Sequence, residues 1–194
     1  MKCRHCNHSL SLPFVDLGSM PPSNAYLSCE SDFEKEVSFP LNILVCDKCW
    51  LVQTEDFTRA DELFTDDYAY LSSTSSTWVE HARLFVDELV ESQNLNAESF
   101  VVELAANDGY LLQHVVRKGI PCLGIEPTSV AAEIARSKGV DIQECFFGLE
   151  QAYRLLNDYP KANAIIGNNV LAHVPDINDF VSGIATSGSR FVWC

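Results

Sequence analysis

FVVELAANDGYLLQHVVRKGIPCLGIEP, residues 100–127, reads as a buried strand, a tight polar turn, a helix and a second buried strand. Phe100, Val101 and Val102 form the continuous apolar run of a parallel strand covered on both faces. The turn Ala105-Ala106-Asn107-Asp108-Gly109 leads into a helix carrying Leu111, Leu112, Val115 and Val116 at helical spacing, and Gly119 supplies its stop. Residues 121–125 form the second strand. Each strand closes on an acid, Glu103 and Glu126, 23 residues apart, close to the spacing at which a Rossmann-like unit places its ribose-binding carboxylate.

The turn's composition selects the cofactor. A dinucleotide pyrophosphate needs several glycines, so that backbone N–H groups approach the phosphates, and tolerates little negative charge. This turn has one glycine, Gly109, and carries Asp108. S-adenosylmethionine (SAM) has no phosphate, but its ammonium, sulfonium and ribose suit carboxylates and amides. The turn therefore fits SAM better than NAD; a βαβ unit whose acids merely sit at strand ends is the competing reading.

The same βα rhythm continues. Thr128 caps an expected helix bearing Val130, Ala131, Ile134 and Ala135, stopped by Gly139, and residues 140–144 form a third strand. Phe146 and Phe147 reach the rim of Glu103 and Glu126, where an aromatic either packs on adenine or joins the core. A helix at 149–156 precedes a fourth strand at 162–167, and a further helix is expected at 176–184. Ligands of open α/β sheets lie beyond the carboxyl ends of the strands, so Asn168, Asn169 and His173 are placed to meet one. Only four strands are secure from the sequence, with the start of a fifth as a further reading of residues 185–194, and a sheet ending at four exposes a long apolar edge.

Upstream, Cys3-x-x-Cys6 and Cys46-x-x-Cys49 are two knuckles of equal spacing that together offer four thiolates to one tetrahedral zinc. A redox CxxC is the competing reading, but such motifs usually sit beside a βαβ pattern. Four cysteine ligands leave no open position, so a structural zinc is expected over a catalytic one, with His5 or His8 in place of a cysteine as a competing ligand set. The insert 7–45 must return to the metal; 10–12 and 38–45 read as strands and 20–24 as a turn. Residues 56–63 read as a short acidic helix. Tyr68, Tyr70 and the hydroxyl-rich run to Ser76 either hydrogen-bond a polar ligand such as a sugar or form a solvated loop. A helix with Trp78, Ala82, Phe85, Val86 and Leu89 on one face follows, with a capping box at Thr77 and Glu80.

The expected organisation is a zinc-binding domain at 1–56, a helical connector with a Tyr/Ser-rich loop at 57–96, and a SAM-binding Rossmann-like domain at 97–194. A formal charge of −14 repels polyanions, which argues against nucleic acid as a partner. No apolar run reaches the roughly 18 to 20 residues of a membrane helix, and the N-terminus has no apolar signal region. The expected location is cytoplasmic.

Taken together, the paired CxxC, the 68–73 loop leading to Trp78 and His81, the segment 102–109, the segment 124–128 and the segment 167–174 resemble the zinc-containing, SAM-dependent sugar C-methyltransferases, which methylate a ring carbon of nucleotide-linked deoxysugars. The resemblance implies a class I methyltransferase sheet of Rossmann-like α/β fold, incomplete here, behind a small strand-rich domain with four cysteine ligands. It implies that Glu103 and the turn residues Ala105, Asn107, Asp108 and Gly109 hold the methionine part of SAM. Glu126, followed by Pro127, binds the ribose, Asn168 and Asn169 complete the cofactor site, and a tyrosine of the Tyr68/Tyr70 pair faces the sugar. Tyr68, Tyr70 and His173 are the catalytic candidates. Ala105 stands where the family has its first glycine. The family's general base and much of its sugar-nucleotide site lie in a C-terminal half that this chain does not contain, so a partner chain supplying that half is among the expected partners. A non-catalytic SAM- and zinc-binding module is the alternative reading.

Overall fold

The computed structural model describes residues 1–24, 26–27, 29–55, 64 and 70–192. They form two compact units, Met1–Tyr70 with Pro175–Asn178, and Leu71–Val174 with Asp179–Cys194.

The first unit is an antiparallel meander of β1 (Leu12–Met20), β2 (Phe39–Val45) and β3 (Val52–Gln53), in that spatial order. The strand expected at 10–12 overlaps β1 only at Leu12, and β1 runs on through Pro13, Asp16 and Gly18. β1 absorbs them as an edge strand. Its pairing with β2 shifts register between Pro13 and Val15 and again between Asp16 and Ser19. Gly18 takes φ of 77° there and donates its N–H to Asp16 Oδ1 at 2.8 Å. An edge position and a bulge are where a strand tolerates Pro and Gly.

The second unit is a parallel sheet of β4 (Val101–Leu104), β5 (Cys122–Ile125), β6 (Ile142–Gln143), β7 (Ala164–Gly167) and β8 (Phe191–Val192), ordered β6-β5-β4-β7-β8. Its helices are α1 (Ser76–Gln93), α2 (Leu112–Arg117), α3 (Ser129–Ser137), α4 (Leu149–Asp158) and α5 (Ile177–Ser187). β4 and β7 are buried along their whole length. On one face Val101 packs with Val86, Leu112, Val115 and Ala135. On the other, Val102 and Leu104 pack with Leu123, Leu155, Phe180 and Ile184. Coverage of both faces is what makes these strands read as unbroken apolar runs. The chain leaves β4 toward β5 and β6, then crosses back to β7, which puts the switch point of the sheet between β4 and β7.

Three sequence expectations change. α1 is capped by Ser75, whose Oγ accepts the Trp78 N–H at 3.2 Å, rather than by Thr77. The third strand shrinks to Ile142–Gln143. A fifth strand is present: β8 pairs with β7 in parallel, so β7 is not the edge that the sequence alone left open. The expected acidic helix at 56–63 lies outside the described residues. No helix among those described is long and apolar enough to cross a membrane.

Candidate metal centre and cofactor site

Two chain reversals of the same build hold the four cysteines. Asn7 N–H closes on Cys3 O at 2.9 Å and Trp50 N–H closes on Cys46 O at 2.8 Å. Each closing residue is left-handed, with φ of 60° and 64°. The reversals bring the sulfurs of Cys3, Cys6, Cys46 and Cys49 within 4.8 Å of one another. Cys3 Sγ lies 3.5 Å from Cys49 Sγ, and Cys6 Sγ 3.6 Å from Cys46 Sγ. A tetrahedron with Zn–S bonds of about 2.3 Å has edges of roughly 3.8 Å, so the cluster is already close to the size zinc requires. Burial raises the Cys3 thiol pKa, but the N–H groups of Cys6 and His5 and the Gln53 amide outweigh it and bring it to about 6. Gln53, itself buried, donates from Nε2 to Cys3 Sγ at 3.3 Å and accepts the Arg4 N–H on Oε1 at 3.0 Å. Such outer hydrogen bonds fix the orientation of a ligand.

At the carboxyl end of β4 the turn of 105–109 is wound left-handed at three residues, Ala105 (φ 56°), Asn107 (φ 50°) and Gly109 (φ 71°). For Ala and Asn this conformation costs about 1 kcal/mol each, so the surroundings must hold it. Glu126 does part of this, accepting the Asn107 N–H at 2.9 Å on one oxygen and the Thr128 N–H and Oγ1–H at 3.0 and 2.6 Å on the other. Asp108 is fully buried and receives Lys138 Nζ at 3.1 Å. Close packing fixes two glycines: a Cβ on Gly124 would fall 2.3 Å from Ile142 Cδ1 and 2.8 Å from Ala106 Cβ, and one on Gly109 would fall 3.0 Å from Ala135 Cβ.

Glu103 is the exception to this satisfaction. It is fully buried, and neither carboxylate oxygen has a hydrogen-bond partner among the described residues. Burial first, and then the negative charges of Glu126 and Asp108, push its pKa well above the ordinary carboxylate range. A buried acid without a donor is costly in a resting fold, and a cationic group set against it would relieve that cost. Across the switch point Asn168, also buried, donates from Nδ2 to Tyr110 Oη at 2.9 Å, and the Tyr110 ring stacks on Trp78 at 6.0 Å.

Residues 3–64 match the family described as "Putative zinc binding domain". Along 184 residues, 95% of its length, the chain is 31% identical to C-methyltransferase NovU of Streptomyces niveus. The chain is thus similar to a zinc-binding domain at its start and to a C-methyltransferase along nearly all of its length. It spans 44% of that relative's length. Similar solved structures include magnesium protoporphyrin IX methyltransferase of Synechocystis with bound SAH, at 16% identity, TM-score 0.48, covering 59% of this chain and 54% of that one. Another is a S-adenosylmethionine-dependent methyltransferase of Clostridium acetobutylicum, at 15% identity and TM-score 0.47, covering 59% and 49%.

The expected site residues divide by location. Glu103, Ala105, Asn107, Asp108, Gly109 and Glu126 gather around one turn, with half-buried Pro127 next to Glu126 and Asn168 tied in through Tyr110. Asn169 is exposed with φ of 51°. His173 ends an exposed 3-10 turn, Leu171–His173. Tyr70 belongs to the other unit and is 47% exposed, and Tyr68 lies outside the described residues. Phe147 packs edge-on against Phe180 at 5.5 Å, while Phe146 stays exposed. Sequence reasoning missed Thr128 as a Glu126 donor, Lys138 as the Asp108 counter-ion and Tyr110 as the Asn168 partner. Only the first had a local signal, a threonine two residues after an acid.

Proposed function

We propose that this chain holds SAM at the carboxyl edge of β4, β5 and β7 and zinc at its four cysteines, as the cofactor-holding part of a C-methyltransferase acting on a nucleotide-linked keto-deoxysugar. The identity to a C-methyltransferase along nearly the whole chain carries the reading. The buried, donor-less Glu103 supports it, because an ammonium group supplies what that carboxyl lacks. Glu126 is the ribose acid of the site and also its brace, since its oxygens already hold Asn107 and Thr128. SAM supplies an electrophilic methyl group. The sugar carbon must first lose a proton next to its keto group, which calls for a general base and for donors to the enolate oxygen. Tyr68, Tyr70 and His173 are the candidates from this chain.

Isothermal titration with SAM, followed by a methyl-transfer assay on keto-deoxysugar nucleotides, tests the reading. Binding with turnover is the expected result for an enzyme complete in this chain or completed by a partner chain. Binding without turnover leaves a SAM- and zinc-binding module, and absence of binding removes both.

A further inference from the structure

In the run of hydroxyls before α1, three side chains hold bonds within the chain. Ser75 caps α1, Thr74 Oγ1 bonds Leu71 O at 2.8 Å, and Ser73 Oγ donates to Asp108 Oδ2. The backbone joins in: Ser72 N–H donates to Asn107 Oδ1 at 2.8 Å, and Ser73 N–H lies 3.3 Å from both Asp108 oxygens. Two successive side chains of the turn are therefore gripped from an element outside the βαβ unit. On the far side Lys138 Nζ bonds both the Asp108 carbonyl, at 2.6 Å, and its carboxylate. Lysine brings a charge on a flexible stem. The serine N–H and O–H are neutral donors from a short 3-10 turn, Ser72–Thr74, whose next residue, Ser75, caps α1, and they fix direction.

A turn with one glycine and two left-handed non-glycine residues needs such a grip. Glycine-rich turns reach the same backbone shape without it. We propose that Ser73 is a positioning residue for cofactor binding, fastening the 105–109 turn through Asp108 in the shape that receives the methionine end of SAM. The inference rests on the SAM-binding reading above. It also reassigns Asp108, whose carboxylate is spent on Ser73 and Lys138, from cofactor ligand to anchor.

The test uses the whole chain with zinc bound. Ligand-free hydrogen exchange is followed at the amides of 105–109 in the parent, Ser73→Ala and Ser73→Thr, and SAM affinity is measured on the same samples. Ser73→Ala is expected to speed exchange across the turn about tenfold and to weaken SAM binding about tenfold, with exchange in β4 and β5 unchanged. Ser73→Thr, which keeps the hydroxyl, restores both. Unchanged turn protection in Ser73→Ala overturns the clamp. Faster exchange with unaltered SAM affinity overturns its role in binding. A parent chain that binds no SAM overturns the cofactor reading and with it the positioning role, while the exchange data, taken without ligand, still decide the clamp.

Discussion

Glu103 is where stability and the proposed function pull in opposite directions. In the unfolded chain it ionises near the ordinary value of 4.5, whereas in the fold burial holds the proton on to higher pH. The folded state then binds more protons than the unfolded one, so Glu103 costs increasing stability as pH rises above 4.5. Glu103→Gln carries no such penalty. Its melting temperature is expected to match the parent near pH 4.5 and to exceed it by a few degrees at pH 7. The same substitution is expected to weaken SAM binding at least tenfold, a loss of about 1.4 kcal/mol or more. Parallel melts of the two proteins across pH, with SAM titrations at pH 7, check both halves. A stability difference independent of pH contradicts the assignment.

At the scale of elements, the β4–α2–β5 unit is held by close approach. Gly124→Ala forces a methyl against Ile142 and Ala106 in the interior and is expected to cost about 1 to 3 kcal/mol. Gly119→Ala meets nothing within 4 Å and strains only its own backbone at φ of 70°, for about 1 kcal/mol. Urea midpoints of the two variants, at equal m-value, should fall in that order. This unit was legible in sequence because its signals are local: an apolar run, helical spacing, a stopping glycine, an acid at each strand end. The grip of Ser73 on Asp108 and the pairing of Asn168 with Tyr110 span 35 and 58 residues, and nothing nearby in the chain announces them. β1 was hidden for a different reason. Its Pro and Gly are local strand breakers, and only pairing with β2 shows that a bulge accommodates them.

For the whole molecule, the four-cysteine cluster sets the terms on which the first unit folds. Its meander is small, and β1 is exposed at every position, so little apolar burial is available to hold it. One zinc per chain is the expected result of elemental analysis. Removing it with a chelator should release protection across β1, β2 and β3, because metal binding in such domains is folding free energy. Hydrogen exchange before and after chelation checks this, and unchanged protection in the meander would show that the metal is dispensable to it. The paired CxxC announced the four-cysteine cluster, but not Gln53, whose contact with Cys3 spans 50 residues.

The open faces of β1 bear on how copies of the chain meet. Phe14, Leu17 and Met20 are 69%, 50% and 48% exposed on a strand at the edge of its sheet, the kind of surface to which another strand adds. What opposes that encounter is the charge of −14 on every copy, a repulsion that acts over about 10 Å at 0.1 M salt and about 3 Å at 1 M. The colloidal behaviour of the chain is thus a contest between a short sticky strand and a long-range field. Dilute buffers well above the isoelectric point near 4.6 favour the field, and brine or acid favours the strand.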